Sequence, residues 1–396
     1  MANQLQGPTA VGGPVTPGAS TQVPGKNVIP FTRAAGSVRT DVSVKDSPTL
    51  TAAQQNLPQV LPGTGFMVWF DLEMVLTATG NASTNTVALA EDAPWAAFAG
   101  ITLDDGGPQM VNIDGYSLHL LNLYGGYGLH KSELSADASV YSAISVGTGS
   151  AAGSGLFRTR IPMAINDRDY WGLLGNQDRA TKYNLNDGIA PSTSVFSGAP
   201  TVLPLLSINR SYGYLPVPGA MSADGRGQQQ IPSTYGIVHY MFATKAAELP
   251  IGGGAPINHY LRNLANAVRC IVLVLRSGSG ATPRAAAEAA LPTQIDFKIG
   301  TDVIFSESAK ERRQIMWDKY RMDAPAGVLV YPFLDDFGPV AGYELGHKYL
   351  YLGNVSEAQF AITYPSGFGS SASNSLTMIT DSLYIPPTMD IYSGAL

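Results

Sequence analysis

Cysteine is nearly missing from this chain. Cys270 stands alone among 396 residues, which excludes an intramolecular disulfide and any cysteine-rich zinc site. It lies in the continuous apolar run Arg269–Leu275 (RCIVLVL), so a buried, inert thiol is expected. Charge is scarce as well. Asp, Glu, Lys and Arg make up 14% of the residues, against roughly 25% in ordinary soluble domains. The formal net charge of −6 argues against direct nucleic-acid binding, which needs clustered Lys and Arg. No apolar run reaches the roughly 18 residues of a spanning helix, and the start lacks the basic and apolar regions of a secretion signal. The expectation is a protein made and kept in the cytoplasm, or released by lysis. No Gly-rich loop runs into Lys-Ser or Lys-Thr, and Gly252–Gly254 lacks the strand-to-helix frame of a phosphate cradle.

What the chain has in quantity is Gly (43) and Pro (27), the balance of turn-rich β structure with much surface hidden in contacts; a secreted β protein with a polar, uncharged surface fits it too. Met1–Gly25 carries no charged side chain and is crowded with Gly, Pro, Ser and Thr, so it reads as an extended arm, too rich in Pro and Gly to hold a helix. From Gly65 to Thr79 the even positions Phe66, Val68, Phe70, Leu72, Met74 and Leu76 are apolar while Asp71, Glu73 and Thr77 fall opposite, the pattern of a long half-buried strand. Further strands are expected at Gly115–Leu123, Leu203–Asn209, Gly236–Ala243, Arg269–Leu275, Gly342–Leu352, Ala358–Tyr364 and Leu376–Ile385.

Two segments repeat one plan. Leu156–Ile165 reads as a strand running into a short polar helix, Asp167–Leu174; Ile295–Phe305 leads into a second helix, Ser308–Arg321, and strand resumes at Val328–Phe333. Ser308 and Glu311 form a capping box, and Arg312, Met316 and Tyr320, flanked by Ile315, make one stripe. Glu248–Pro256 (ELPIGGGAP) has the Gly and Pro density of a connection. The reading is therefore all-β: an extended N-terminal arm (1–40), a first jelly-roll sandwich (41–248) and a second (249–396), each roll with one short inserted helix.

Candidates for chemistry are thin, and no catalytic, cofactor-binding or metal site is assigned. His119, His130, His239, His259 and His347 are scattered without the close pair a metal would need. Asp104-Asp105-Gly106-Gly107 and Asp335-Asp336-Phe337-Gly338 read as turns; a calcium site at the first would need further oxygen ligands. Asp71 and Glu73 share one strand face, near the shorter of the roughly 5 to 9.5 Å separations that glycosidases use, yet the outward face of a strand also needs polar residues. The sequon Asn81-Ala82-Ser83 carries little meaning without a secretion signal.

The order of arm, sandwich with helix, Gly/Pro junction, and second sandwich with helix resembles the double jelly-roll major capsid proteins of tectivirus-like, membrane-containing phages. Ile113–Asn122 (IDGYSLHLLN), Phe157–Gln177, Lys310–Phe333 and Tyr349–Gln359 (YLYLGNVSEAQ) are similar to family segments in spacing, and the likeness covers about Asn27 to Ile385. The resemblance implies a structural protein without enzymatic activity or cofactor. It would form homotrimeric, pseudo-hexagonal capsomers in an icosahedral phage shell, with Pro216–Pro232 as an outward tower. Its partners would be itself, penton and minor capsid proteins and an internal viral membrane, and it would be assembled in the host cytoplasm. Here the arm departs from the family's helix-prone start, so an extended clamp onto a neighbouring capsomer is expected instead. Two other classes fit the composition: a capsid or spike of another β type, and a carbohydrate-binding or glycoside-hydrolysing jelly roll, which predicts a cleft lined by aromatics and one of the acid pairs.

Overall fold

The computed structural model describes residues 28–79, 86–90, 92–127, 143–145, 152–165, 170–177, 182–197, 202–246, 254–276, 291–325, 327–334, 349–352, 357–366, 368 and 374–387. Met1–Gly25, His130, His347, Asp335, Asp336, the sequon at Asn81 and most of Glu248–Pro256 lie outside the described residues.

The first unit contains β1 (Arg39–Asp46), β2 (Gln55–Val60), β3 (Gly65–Thr79), β4 (Thr86–Ala88), β5 (Phe98–Asp104), β6 (Val111–Ile113), β7 (Ala143–Ser145), β8 (Ala152–Pro162), β9 (Leu174–Asn176), β10 (Asn184–Ile189) and β11 (Val202–Leu215). The second contains β12 (Val238–Lys245), β13 (Ile257–Tyr260), β14 (Ala267–Arg276), β15 (Gln294–Ile299), β16 (Asp302–Glu307), β17 (Val328–Pro332), β18 (Leu350–Tyr351), β19 (Ala358–Thr363) and β20 (Ser375–Tyr384). Setting aside the short β4, β7, β9 and β18, the strands of the first unit pair as β1-β11-β3-β8 and β2-β10-β5-β6, and those of the second as β12-β20-β14-β17 and β13-β19-β15-β16. Counted in order within each unit, both read 1-8-3-6 and 2-7-4-5, the wiring of a jelly roll. The rolls are fused by one parallel pairing in these antiparallel sheets, Met241↔Val111 and Phe242↔Asn112, which joins β6 to β12 and makes a continuous sheet from β17 to β2.

That fusion explains the RCIVLVL run. In β14, Cys270, Val272 and Val274 enter the core cluster shared with the first roll, while Val268, Ile271, Leu273 and Leu275 enter the second roll's own core. A strand covered on both faces has no polar face to show, so alternation disappears. Cys270 is fully buried, as expected. In β3 the alternation holds with one correction: the ladder to β11 slips between Gly213 and Tyr214. Past the slip, Phe70, Leu72, Met74 and Leu76 enter the main core; before it Met67 does, and Phe66 and Val68 join a separate cluster with Phe31, Leu173 and Leu215. Phe31 belongs to a short helix, Phe31–Ala35, and Ile29 bridges Gln228, so the last part of the expected arm docks on the first roll and on the long loop before β12.

Helix placement needs two corrections in the first roll. Gly115–Leu123, read as a strand, is a helix, Gly115–Tyr124, capped by Asp114, whose carboxylate accepts from the Ser117 amide at 2.9 Å. A Cβ at Gly115 would sit 2.3 Å from the Trp95 carbonyl oxygen, so the helix starts at the residue that permits this close approach. Conversely, the segment read as a polar helix from Asp167 to Leu174 is, where described, a turn at Trp171 and Gly172 followed by β9. Positive φ at Tyr170 (52°) and Gly172 (84°) rules out a helix there. The duplicated position of the longer helix nonetheless stands, although the first roll also holds a four-residue helix, Ser192–Val195. Gly115–Tyr124 follows the fifth strand of its roll and precedes the sixth, and Ala309–Tyr320 does the same in the second. The capping box at Ser308 and Glu311 is present, with bonds of 3.1 and 2.7 Å. Arg312 and Met316 are buried while Ile315 faces out. Ile295–Phe305, read as one strand, is a hairpin that turns at Gly300 (φ 59°) into β16.

Candidate functional site

The two rolls meet around a buried polar cluster. Asp381 on β20 accepts from His239 Nε2 on β12 at 2.7 Å and from Arg269 Nη1 on β14 at 2.8 Å. It also accepts from the hydroxyl of Tyr127, which follows the first-roll helix. His239 Nδ1 lies 3.0 Å from the carbonyl oxygen of Met163, just past β8, and the Arg269 guanidinium stands 4.5 Å from the centre of the Tyr127 ring. Arg269 is placed by a β-bulge, the register to β20 passing from Val268↔Ser382 directly to Cys270↔Asp381. Such an extra residue re-aims its side chain. Asp381, His239 and Arg269 are all 0% exposed. Burial opposes ionisation of Asp381, but Arg269, then His239 and the Tyr127 hydroxyl outweigh it and hold the carboxyl below the usual carboxylate range. With every polar partner supplied from inside, the cluster clamps the first roll (Tyr127, Met163) to the second rather than facing a substrate.

Two further buried arginines serve single units. Arg210 on β11 donates to Asp187 on β10 at 2.6 Å and also binds Asp46, tying the two sheets of the first roll. Arg312 donates to the Val330 carbonyl at 2.9 Å and lies over the Tyr331 ring, locking the second helix to β17.

The acid pairs resolve as follows. Asp71 is covered by Arg158 and Arg160, the latter at 2.6 and 2.9 Å, while Glu73 beside it is exposed. A carboxylate held by two guanidiniums is a structural anchor of β3 to β8, not half of a glycosidase pair. Asp104 and Asp105 accept from the amides of Gly106 and Gly107 at 2.9 and 3.0 Å, the turn expected. Among the described residues no three His, Cys, Asp or Glu side chains are grouped to hold a metal ion, and no helix is long and apolar enough to cross a membrane. His119 is helical rather than in a strand and stacks on Trp95 at 4.1 Å.

His259, buried on β13, contacts the Tyr364 hydroxyl at 2.9 Å, and burial pushes its imidazole down from 6.5 to about 4. Between those values the unfolded chain binds a proton that the folded chain does not. Stability from this residue is therefore complete above about pH 6.5 and lost as pH falls toward about 4. Melting temperatures measured across that window should fall less steeply in His259→Gln than in the parent.

The joint cluster was missed from sequence, although lone charges within apolar strands, Arg269 in RCIVLVL and Asp381 in Leu376–Ile385, were its visible signal. Two rolls of one wiring fused through a shared sheet define a double jelly-roll protein. No protein-family model matches the sequence, and no curated protein matches it. Solved structures do. The chain is similar to the major capsid protein of STIV, with a TM-score of 0.61 and 13% identity over 89% of this chain and 98% of that one. It is similar to a chain of the atomic structure of Sulfolobus Turreted Icosahedral Virus, at 0.60 and 13% over 89% and 92%. A third likeness is to the PBCV-1 virus capsid, at 0.55 and 12% over 88% and 93%. The fold is that of the viral double jelly-roll major capsid proteins.

Proposed function

We propose that this protein is a structural, non-enzymatic major capsid protein that self-assembles as trimeric, pseudo-hexagonal capsomers into an icosahedral shell, formed in the host cytoplasm and retained in the virion. The observation that carries this reading is the repeated wiring fused through β6 and β12. One chain then presents two similar lobes side by side, three chains present six, and six similar lobes fill a near-hexagonal lattice. Low charge supports it, because charged groups are depleted from interface cores. Penton and minor proteins, and an internal membrane, belong to the same reading. We place the division between the rolls in the loop before β12 rather than at Glu248, since β12 is hydrogen-bonded to β20 along its length. The arm before residue 28 is assigned to neighbouring capsomers.

Light scattering on the purified protein, diluted to nanomolar concentration, tests the reading. A persistent trimer is expected, and a stable monomer would overturn it. Removing residues 1–26 should leave trimers intact and abolish shells in electron micrographs; normal shells from the truncated chain would remove the clamp assignment.

A further inference from the structure

Beside the joint, a half-open cleft of about 230 Å³ lies between the rolls. The first roll contributes the Asp105–Pro108 turn between β5 and β6, Leu173–Gly175 entering β9, and Tyr183 before β10; the second contributes Tyr235–Tyr240, leading into β12. Three tyrosines and the exposed Asp105 carboxylate therefore line the same cleft. Their arrangement is fixed at Gly175: the Tyr183 hydroxyl donates to its carbonyl at 3.1 Å, and a Cβ there would stand 2.6 Å from the Tyr235 ring. Tyr235 packs edge-on against Phe66 at 6.0 Å yet remains 45% exposed. Burial, then Asp105 and Tyr235, push the Tyr183 hydroxyl up to about 12, and burial followed by Asp105 and Tyr384 raises Tyr240. Asp105 spends one oxygen on the Gly107 amide and has no ion pair among the described residues.

We propose that this cleft binds a single pyranose unit of a glycan, with the exposed Tyr235 ring stacked on the apolar face of the sugar and Asp105 and the Tyr240 hydroxyl bonding its hydroxyl edge. A sugar ring presents an apolar face bordered by hydroxyls, and aromatic walls with a few placed acceptors complement both features. The free carboxylate oxygen provides the stronger, charge-assisted acceptor. The volume suits one ring rather than a chain, so longer glycans would be held by a terminal or branching unit. Asp105 is one of the acid pair singled out in the sequence, and the cleft is the aromatic-lined hollow that a carbohydrate-binding roll predicts. Nothing here requires catalysis, and the proposal stands independently of the capsid reading: a monomer could carry the cleft, and a capsomer could lack the activity.

Saturation-transfer NMR on the full-length protein, with methyl glycosides of glucose, galactose, mannose and N-acetylglucosamine as probes and tetramethylammonium as a control cation, tests it. At least one glycoside should give a saturable signal, weakened at least tenfold by Tyr235→Ala and by Asp105→Asn, with both variants keeping the parent's oligomeric mass and Asp105→Asn its melting temperature. Asp105 is exposed and Asn can still accept from the Gly107 amide, so that variant reports on binding rather than folding. Absence of binding to all four sugars, equal binding by the Asp105→Asn protein, or binding of tetramethylammonium without any sugar would each overturn the proposal, the last in favour of a cation site.

Discussion

Replacing Asp381 by Asn is expected to destabilise the protein by about 3–5 kcal/mol, the cost of removing one partner from a buried ion pair. The effect is large because the carboxylate serves Arg269, His239 and Tyr127 at once, and all the charged members are fully buried. An amide offers one acceptor oxygen and turns two N–H donors toward a guanidinium, which has none to accept with. Denaturant titration should show the midpoint falling. Its pH dependence has a definite sign: the folded Asp381 carboxyl is held below its usual range, so its contribution is present at neutral pH and lost only as pH falls through and below the ordinary carboxylate value of about 3.9. The variant should lack that acid-side component. A midpoint within the scatter of the parent would mean that the cluster does not hold the joint.

The same cluster separates specificity from stability. Arg269→Met with Asp381→Leu removes both charges together, and apolar replacement of a buried pair is often neutral or stabilising. If the double variant recovers stability, what the pair supplies is the alignment of β12, β14 and β20 against Tyr127 and Met163 of the first roll. Capsomer formation, not melting temperature, is then the readout that would register its loss.

Much of the second roll was readable because its strands obey simple patterns: β14 and β17 are continuous apolar runs, and Ser308 with Glu311 announces the helix that follows. The first roll misled for a physical reason. Gly115–Tyr124 is buried nearly all round, with Leu118, Leu120, Leu121 and Asn122 inside, so no polar stripe marks a 3.6-residue period and the residues happen to alternate. Asp114 and Ser117, the cap, were the only local sign of a helix. The joint was harder still. Its members lie 112 and 142 residues from Asp381, and a bulge, invisible to periodicity, turns Arg269 toward it. The cleft shares this difficulty, since Asp105, Gly175 and Tyr183 of the first roll meet Tyr235 only where the two rolls join.

Phe297→Ala should destabilise the second roll's aromatic core by about 3–5 kcal/mol, the cost of an aromatic removed from a packed core. Phe297 is 0% exposed and stands directly opposite Phe305 on β16 and Phe360 on β19, with ring centres 5.4 and 5.0 Å away. The three rings form a ladder across adjacent strands. Phe333 meets Phe297 at 5.2 Å, and Tyr331 of the facing sheet lies 5.3 Å from Phe305 and 5.2 Å from Phe360, beneath Arg312. Truncating the central rung leaves a cavity lined by rings whose strands are fixed by backbone bonds, so collapse is limited. The edge strand β16 depends most on that rung, because β15 is its sole strand partner among the described residues. Limited proteolysis should then cut within 302–307 in the variant before the parent is touched, while β3 and β8 stay protected. Phe297→Leu, which keeps most of the volume, should lie between the two. Simultaneous cleavage in both rolls would instead show that they unfold as one unit, with the fused sheet rather than the local aromatic core setting the limit.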